Sequence, residues 1–189
     1  MNDKFKGKYR ISPARLQSWD YANNGAYFIT ICTKDRNHFF GKIEEGKMNL
    51  SQVGVIADLM WFEIKHHAKN IELGEFIVMP NHIHGILILN GSQENNDDLL
   101  LSASTSSNEL PKTIGQQRFQ HQGNNTISAI VGSYKSAVTK HANRLGFQFV
   151  WQPSFHEHII RDEQSFERIQ NYVANNPSNW NKDKFYDVL

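Results

Sequence analysis

His82 and His84 stand one residue apart at the mouth of an apolar run, within Met79-Pro80-Asn81-His82-Ile83-His84-Gly85 and ahead of residues 86–89. Successive side chains on a strand point to opposite faces, so the two imidazoles share a face and Ile83 points away. Neutral imidazoles paired in this way can grip one divalent metal ion. The plainer alternative is a pair of polar residues at a strand entrance. Further along, Tyr172 and Asn176 are spaced i and i+4, so a helix would place them one above the other. They can form a chemical pair, or simply an edge tyrosine and an asparagine that ends the helix before Pro177. Tyr134 is a second helical tyrosine with basic neighbours. It falls on the apolar stripe of Ile130, Val131 and Val138, so packing is its expected job.

The elements that must position these residues are legible from periodicity. Residues 26–33 (AYFITICT) are β-branched and aromatic and predict a buried strand. A short hairpin is expected from 38–43 and 47–50 around Glu44-Glu45-Gly46. Ser51 is an expected N-cap for a helix reaching about residue 68, with Val53, Ile56, Leu59, Met60 and Ile64 at helical spacing. Residues 76–79 predict a strand antiparallel to the one that carries the histidines. A helix is expected from Thr126 to Gly146, then extended segments at 147–151 and 156–161. A last helix, capped by Asp162, has Phe166, Ile169 and Val173 as its core stripe. The first six elements predict an α+β, ferredoxin-like βαββαβ antiparallel sheet with helices on one face, and the C-terminal helix is an addition.

At 189 residues the chain is expected to form a single domain, 1–189. A net charge of +1 forces no nucleic-acid reading by itself, but the expected N-terminal arm, 1–24, is basic. The polar stretch 91–125 reads as a flexible insertion. The single cysteine, Cys32, excludes an internal disulfide and a cysteine zinc cluster. No signal-peptide pattern opens the chain and no apolar run approaches ~18 residues, so a soluble cytoplasmic protein with no membrane partner is expected.

Taken in order, residues 27–34, 76–89 with MPNHIHG, 151–161 (WQPSFHEHIIR) and 172–177 (YVANNP) resemble the single-tyrosine HUH transposases. Among these insertion-sequence enzymes the chain looks most like the REP-associated tyrosine transposases. The resemblance implies that His82 and His84 bind metal, that Tyr172 is the nucleophile carried by the added helix, and that Asn176 is the third, oxygen ligand. Related insertion-sequence enzymes more often have glutamine there. The resemblance also implies a metal-dependent single-stranded DNA endonuclease and strand transferase acting at hairpin-flanked sites. It would form a 5′-phosphotyrosine and a free 3′-hydroxyl and could rejoin strands. Oxygen-rich coordination favours Mg²⁺ or Mn²⁺, with Mn²⁺ tolerating imidazole better.

Single-stranded DNA would need cations along its backbone. Lys4, Lys6, Lys8, Arg10 and Arg15 of the arm, with Lys135, Lys140 and Arg144, are the candidates. A solvated helix face is the alternative for the last three. Relatives act as homodimers or as monomers, and both states stay open. The rival reading is a domesticated DNA-binding protein on the same fold that does not cleave. A histidine-triad hydrolase fits poorly, because the next residue on the histidine face is Ile86.

Overall fold

The structure is a computed structural model that describes residues 24–90 and 126–186. Lys4, Lys6, Lys8, Arg10 and Arg15, with the expected arm, and the expected insertion 91–125 lie outside the described residues.

Four strands form one antiparallel sheet: β1 (Gly25–Cys32), β4 (Ile71–Val78), β5 (His82–Leu89) and β6 (His156–Ile160). Their spatial order is β4-β5-β1-β6, which is the ferredoxin-like arrangement the element order predicts. Between β1 and β4 come the hairpin β2 (Gly41–Glu44) and β3 (Lys47–Leu50), then α1 (Gln52–Phe62) and the short α2 (Ile64–His67). Glu45 and Gly46 turn the hairpin with φ of 51° and 73°, the left-handed pair that a two-residue turn requires. Helix α3 (Ile127–Arg144) precedes β6, and α4 (Glu163–Ala174) follows it. No helix among the described residues is long and apolar enough to cross a membrane.

Alternation along β1 and β5 gives the sheet two different faces. Tyr27, Ile29, Ile31, Ile83 and Leu87 pack against α1 and α3 through Ala57, Trp61, Tyr134 and Val138. The opposite face carries His82 and His84. There Ile86 and Ile160 receive Ile169 and Val173 of α4. The added helix therefore covers the face that α1 and α3 leave open, which brings residues of the last helix to the histidine strand.

Gly85 is required by the apolar face. Trp61 stacks on Phe76 with centroids 4.5 Å apart and meets Tyr134 edge-on at 5.4 Å, so its ring is pinned from two sides. A Cβ at position 85 would overlap that ring. Gly85→Ala is expected to lower stability by about 1–3 kcal/mol, read as the urea midpoint at unchanged slope. An unchanged midpoint would show that Trp61 can move aside.

Three boundaries differ from expectation. The helix expected to reach residue 68 breaks at Glu63. Strand β4 begins at Ile71, five residues before the expected start, because a register irregularity between Leu73 and Phe76 interrupts its alternation. Residues 147–151 make no strand. Only the Thr33–Trp151 bridge forms there, while the Trp151 indole is held by the Lys135 carbonyl at 3.1 Å.

Candidate active site

His82 and His84 lie on the central strand β5, opposite Cys32 and Thr30 of β1. Both are buried, at 0% and 1% exposure. Each imidazole is oriented by a second group. Asn81 donates its Nδ2 to the Phe185 carbonyl at 2.9 Å, which turns its Oδ1 toward His82 Nδ1 at 2.8 Å. That oxygen can only accept, so the proton sits on Nδ1 and Nε2 carries a free lone pair. His84 Nδ1 lies 2.9 Å from Thr30 Oγ1. Such second contacts are the usual means of fixing metal-ligating imidazoles.

Helix α4 brings Tyr172 to the same place. Its cap is Asp162, whose carboxylate accepts from Ser165 N at 2.8 Å, and its stripe of Ile169 and Val173 seats it on the sheet. The Tyr172 hydroxyl donates to Asp183 Oδ2 at 2.8 Å and lies 3.2 Å from His84 Nε2. Asn176, buried one turn on, donates its Nδ2 to the same Asp183 oxygen at 2.8 Å. The helix ends at Ala174, and a 3-10 turn, Pro177–Lys182, leads the chain back so that Asp183 and Phe185 reach the histidines. Phe185 lies over His82, with ring centroids 4.6 Å apart.

One ligand atom from each of His82, His84 and Asp183 lies within 4.8 Å of the other two. His82 Nε2 and Asn176 Oδ1 are both buried without a hydrogen-bond partner. Buried polar atoms are rarely left unsatisfied, and two acceptors beside a carboxylate and a second imidazole form a donor set that a divalent cation would satisfy. The residues present therefore fit such an ion.

The electrostatics keep both imidazoles neutral, the form a ligand needs. Burial pushes His82 well below its ordinary value, helped by His84, Lys184 and Arg36. His84 is lowered to about 4 by burial, with Lys184 adding to the drop and Asp183 and the Ile29 carbonyl opposing it. The Tyr172 phenol is pushed up, first by burial and then by its bond to Asp183 and that residue's charge. A stability consequence follows for metal-free protein. Between about pH 6.5 and 4 the unfolded chain binds a proton that folded His84 does not. Stability must fall as pH drops through that window, by about 3 kcal/mol from His84. Urea midpoints in chelator should track this fall, and His82→Gln/His84→Gln should flatten it. An equally steep fall in that variant would place the acid sensitivity elsewhere.

Of the residues singled out in the sequence, His82, His84, Tyr172 and Asn176 come together. Lys135, Lys140 and Arg144 stand on α3, which packs on the other face of the sheet. Lys135 Nζ donates to the carbonyls of Gln152 at 2.7 Å and Pro153 at 3.3 Å, so it ties α3 to the following segment. Lys140 and Arg144 are exposed. Tyr134 is buried, its hydroxyl donating to the Ala57 carbonyl at 2.8 Å. Sequence reasoning missed Asp183, Asn81, Thr30 and Phe185. Asn81 alone carried a signal, as the turn residue adjoining the histidine pair.

No protein-family model matches the chain. A Haemophilus influenzae protein described only as uncharacterized is 35% identical over 173 residues, which cover 91% of this chain and 91% of that protein. Among solved structures, a REP-associated tyrosine transposase bound to a REP hairpin is similar with a TM-score of 0.56. It is 17% identical, over 90% of this chain and 76% of the transposase. At that identity the likeness establishes a shared fold. The chain thus has the fold of a tyrosine transposase and belongs to the same protein family as the Haemophilus influenzae relative.

Proposed function

We propose that the protein is a single-tyrosine HUH transposase of the REP-associated kind, cleaving and rejoining single-stranded DNA beside hairpins. The observation that carries this reading is the contact of the Tyr172 hydroxyl with His84 Nε2, 3.2 Å apart across 88 residues of sequence. Packing alone does not call for a phenol, two buried neutral imidazoles and an orphaned amide oxygen in one place. The shared fold with a transposase bound to a REP hairpin supports hairpin DNA as the substrate.

His82 and His84 would hold Mg²⁺ or Mn²⁺, with Asp183 and Asn176 Oδ1 as the oxygen donors. When bound, the ion would supply positive charge to the phosphate oxygens. Tyr172 would attack phosphorus: its oxygen forms the new P–O bond as the bond to the 3′-oxygen breaks. A phenol held in its neutral form must lose its proton during that step. Asp183 already accepts the hydroxyl's hydrogen bond and can take it, and the 3′-oxygen leaves as a hydroxyl once reprotonated. The diester is exchanged for another diester, so the step is reversible and strands can be rejoined without an energy source.

A second reading, a non-cleaving DNA-binding protein, is favoured by one observation. Phe185 lies over His82, and both histidines are closed off from solvent. Phosphate reaches them only if the tail moves.

Labelled single-stranded DNA from the gene's own flanks, folded into hairpins, separates the two. With Mn²⁺ a slow covalent band is expected on a denaturing gel, and chelator should remove it. DNA retained on a native gel without any such band would establish the binding protein instead.

A further inference from the structure

The polar face of α4 does not end at the nucleophile. Arg168, Asn171, Tyr172 and Asn175 follow one another at helical spacing, and Asn179 continues the row into the 3-10 turn. With Lys182 they line an open cleft of about 500 Å³, within the size range of small-ligand sites. Tyr172, Asn176 and Asp183 also line it, whereas neither His82 nor His84 does. The cleft thus opens beside the tyrosine, Asn176 and Asp183, and the buried histidines stand behind these three, with His84 Nε2 3.2 Å from the Tyr172 hydroxyl.

Its lining has a definite chemistry. Arg168 and Lys182 are exposed cations. The one lining carboxylate, Asp183, is engaged by Tyr172, Asn176 and the Phe185 amide. Asn175 and Asn179 donate to carbonyls one turn back, at 2.8 and 3.0 Å, which spends a donor of each amide and leaves its oxygen as an acceptor. Two cations and a row of amides match a phosphate and the hydrogen-bonding edge of a base.

We propose that this cleft holds the nucleotide that stays on Tyr172 through its 5′-phosphate, with Arg168 and Lys182 at the backbone and the asparagines at the base. The inference rests on Tyr172 acting as the nucleophile. In that reaction the strand ending in a 3′-hydroxyl departs on the side opposite the attacking oxygen, and the retained strand needs a place beside the tyrosine.

The test measures binding without cleavage. A 5′-phosphorylated single strand and the same strand lacking the phosphate, both labelled at the 3′ end, are titrated in chelator and read by fluorescence anisotropy. Wild type should prefer the phosphorylated strand. Arg168→Ala/Lys182→Ala should weaken its binding roughly tenfold and reduce the salt slope by about 1.4. Lys65→Ala/Lys69→Ala, which removes equal charge from the other side of the sheet, should match wild type. A double variant that binds like wild type, an equal loss in the Lys65/Lys69 control, or an equal loss on the unphosphorylated strand would each overturn the assignment. The covalent gel with wild type stands apart. If it shows no adduct while the 5′-phosphate preference depends on Arg168 and Lys182, the cleavage reading fails and the cleft remains a 5′-phosphate site.

Discussion

Tyr172→Phe should abolish the covalent DNA adduct, by at least ~1,000-fold, and leave single-stranded DNA binding within about twofold. The phenyl ring retains its edge contact with Phe28, 6.1 Å between centroids, and the helix keeps its seat through Ile169 and Val173. What disappears is one oxygen, the atom proposed to bond to phosphorus. Tyr134→Phe is the matched comparison. It should keep the adduct and lose about 1 kcal/mol of stability, because the buried Ala57 carbonyl loses its partner. If the two variants exchange these outcomes, the nucleophile has been misplaced.

The second large effect concerns the metal. His82→Ala or His84→Ala should lower Mn²⁺ affinity at least ~100-fold in titration calorimetry, with the protein still folded at neutral pH. Asn81→Ala touches no ion, yet it frees the His82 ring, and a loss of roughly tenfold is expected from that alone. Asp183→Asn distinguishes the oxygen donors: a carboxylate ligand should matter more than the Asn176 amide, so it should cost more affinity than Asn176→Ala. Stoichiometric Mn²⁺ binding by His82→Ala/His84→Ala would show that the ion is held elsewhere.

The half of the site that sits on regular elements was legible in the sequence. Strand alternation puts His82 and His84 on one face. Helical spacing brings Asn176 near Tyr172, although α4 ends at Ala174 and Asn176 stands just past its cap Asn175, at the head of the 3-10 turn. The core stripes of α3 and α4 were equally plain. What escaped detection lies on irregular backbone. Asp183 follows a 3-10 turn, and nothing periodic marks it, so only the returning chain shows that it meets Tyr172. Phe185 reads as a tail residue until the same turn lays it over His82. The break at Glu63 was hidden because Ile64 continues the apolar spacing of α1 and is itself buried. The strand expected at 76–79 falls short of β4 for the converse reason. Gly74 and Glu75 interrupt its pattern where the register shifts, although the strand pairs with β5 on both sides of the irregularity.

The proposed reaction leaves a bond between a DNA 5′-phosphate and the oxygen of Tyr172. Its most direct test is mass spectrometry of the adduct after nuclease trimming and proteolysis. A nucleotide mass is expected on the peptide containing Tyr172, joined through the 5′-phosphate, with a free 3′-hydroxyl on the released strand. A nucleotide on Tyr134 or on any serine, or a 3′-phosphate linkage, would contradict it.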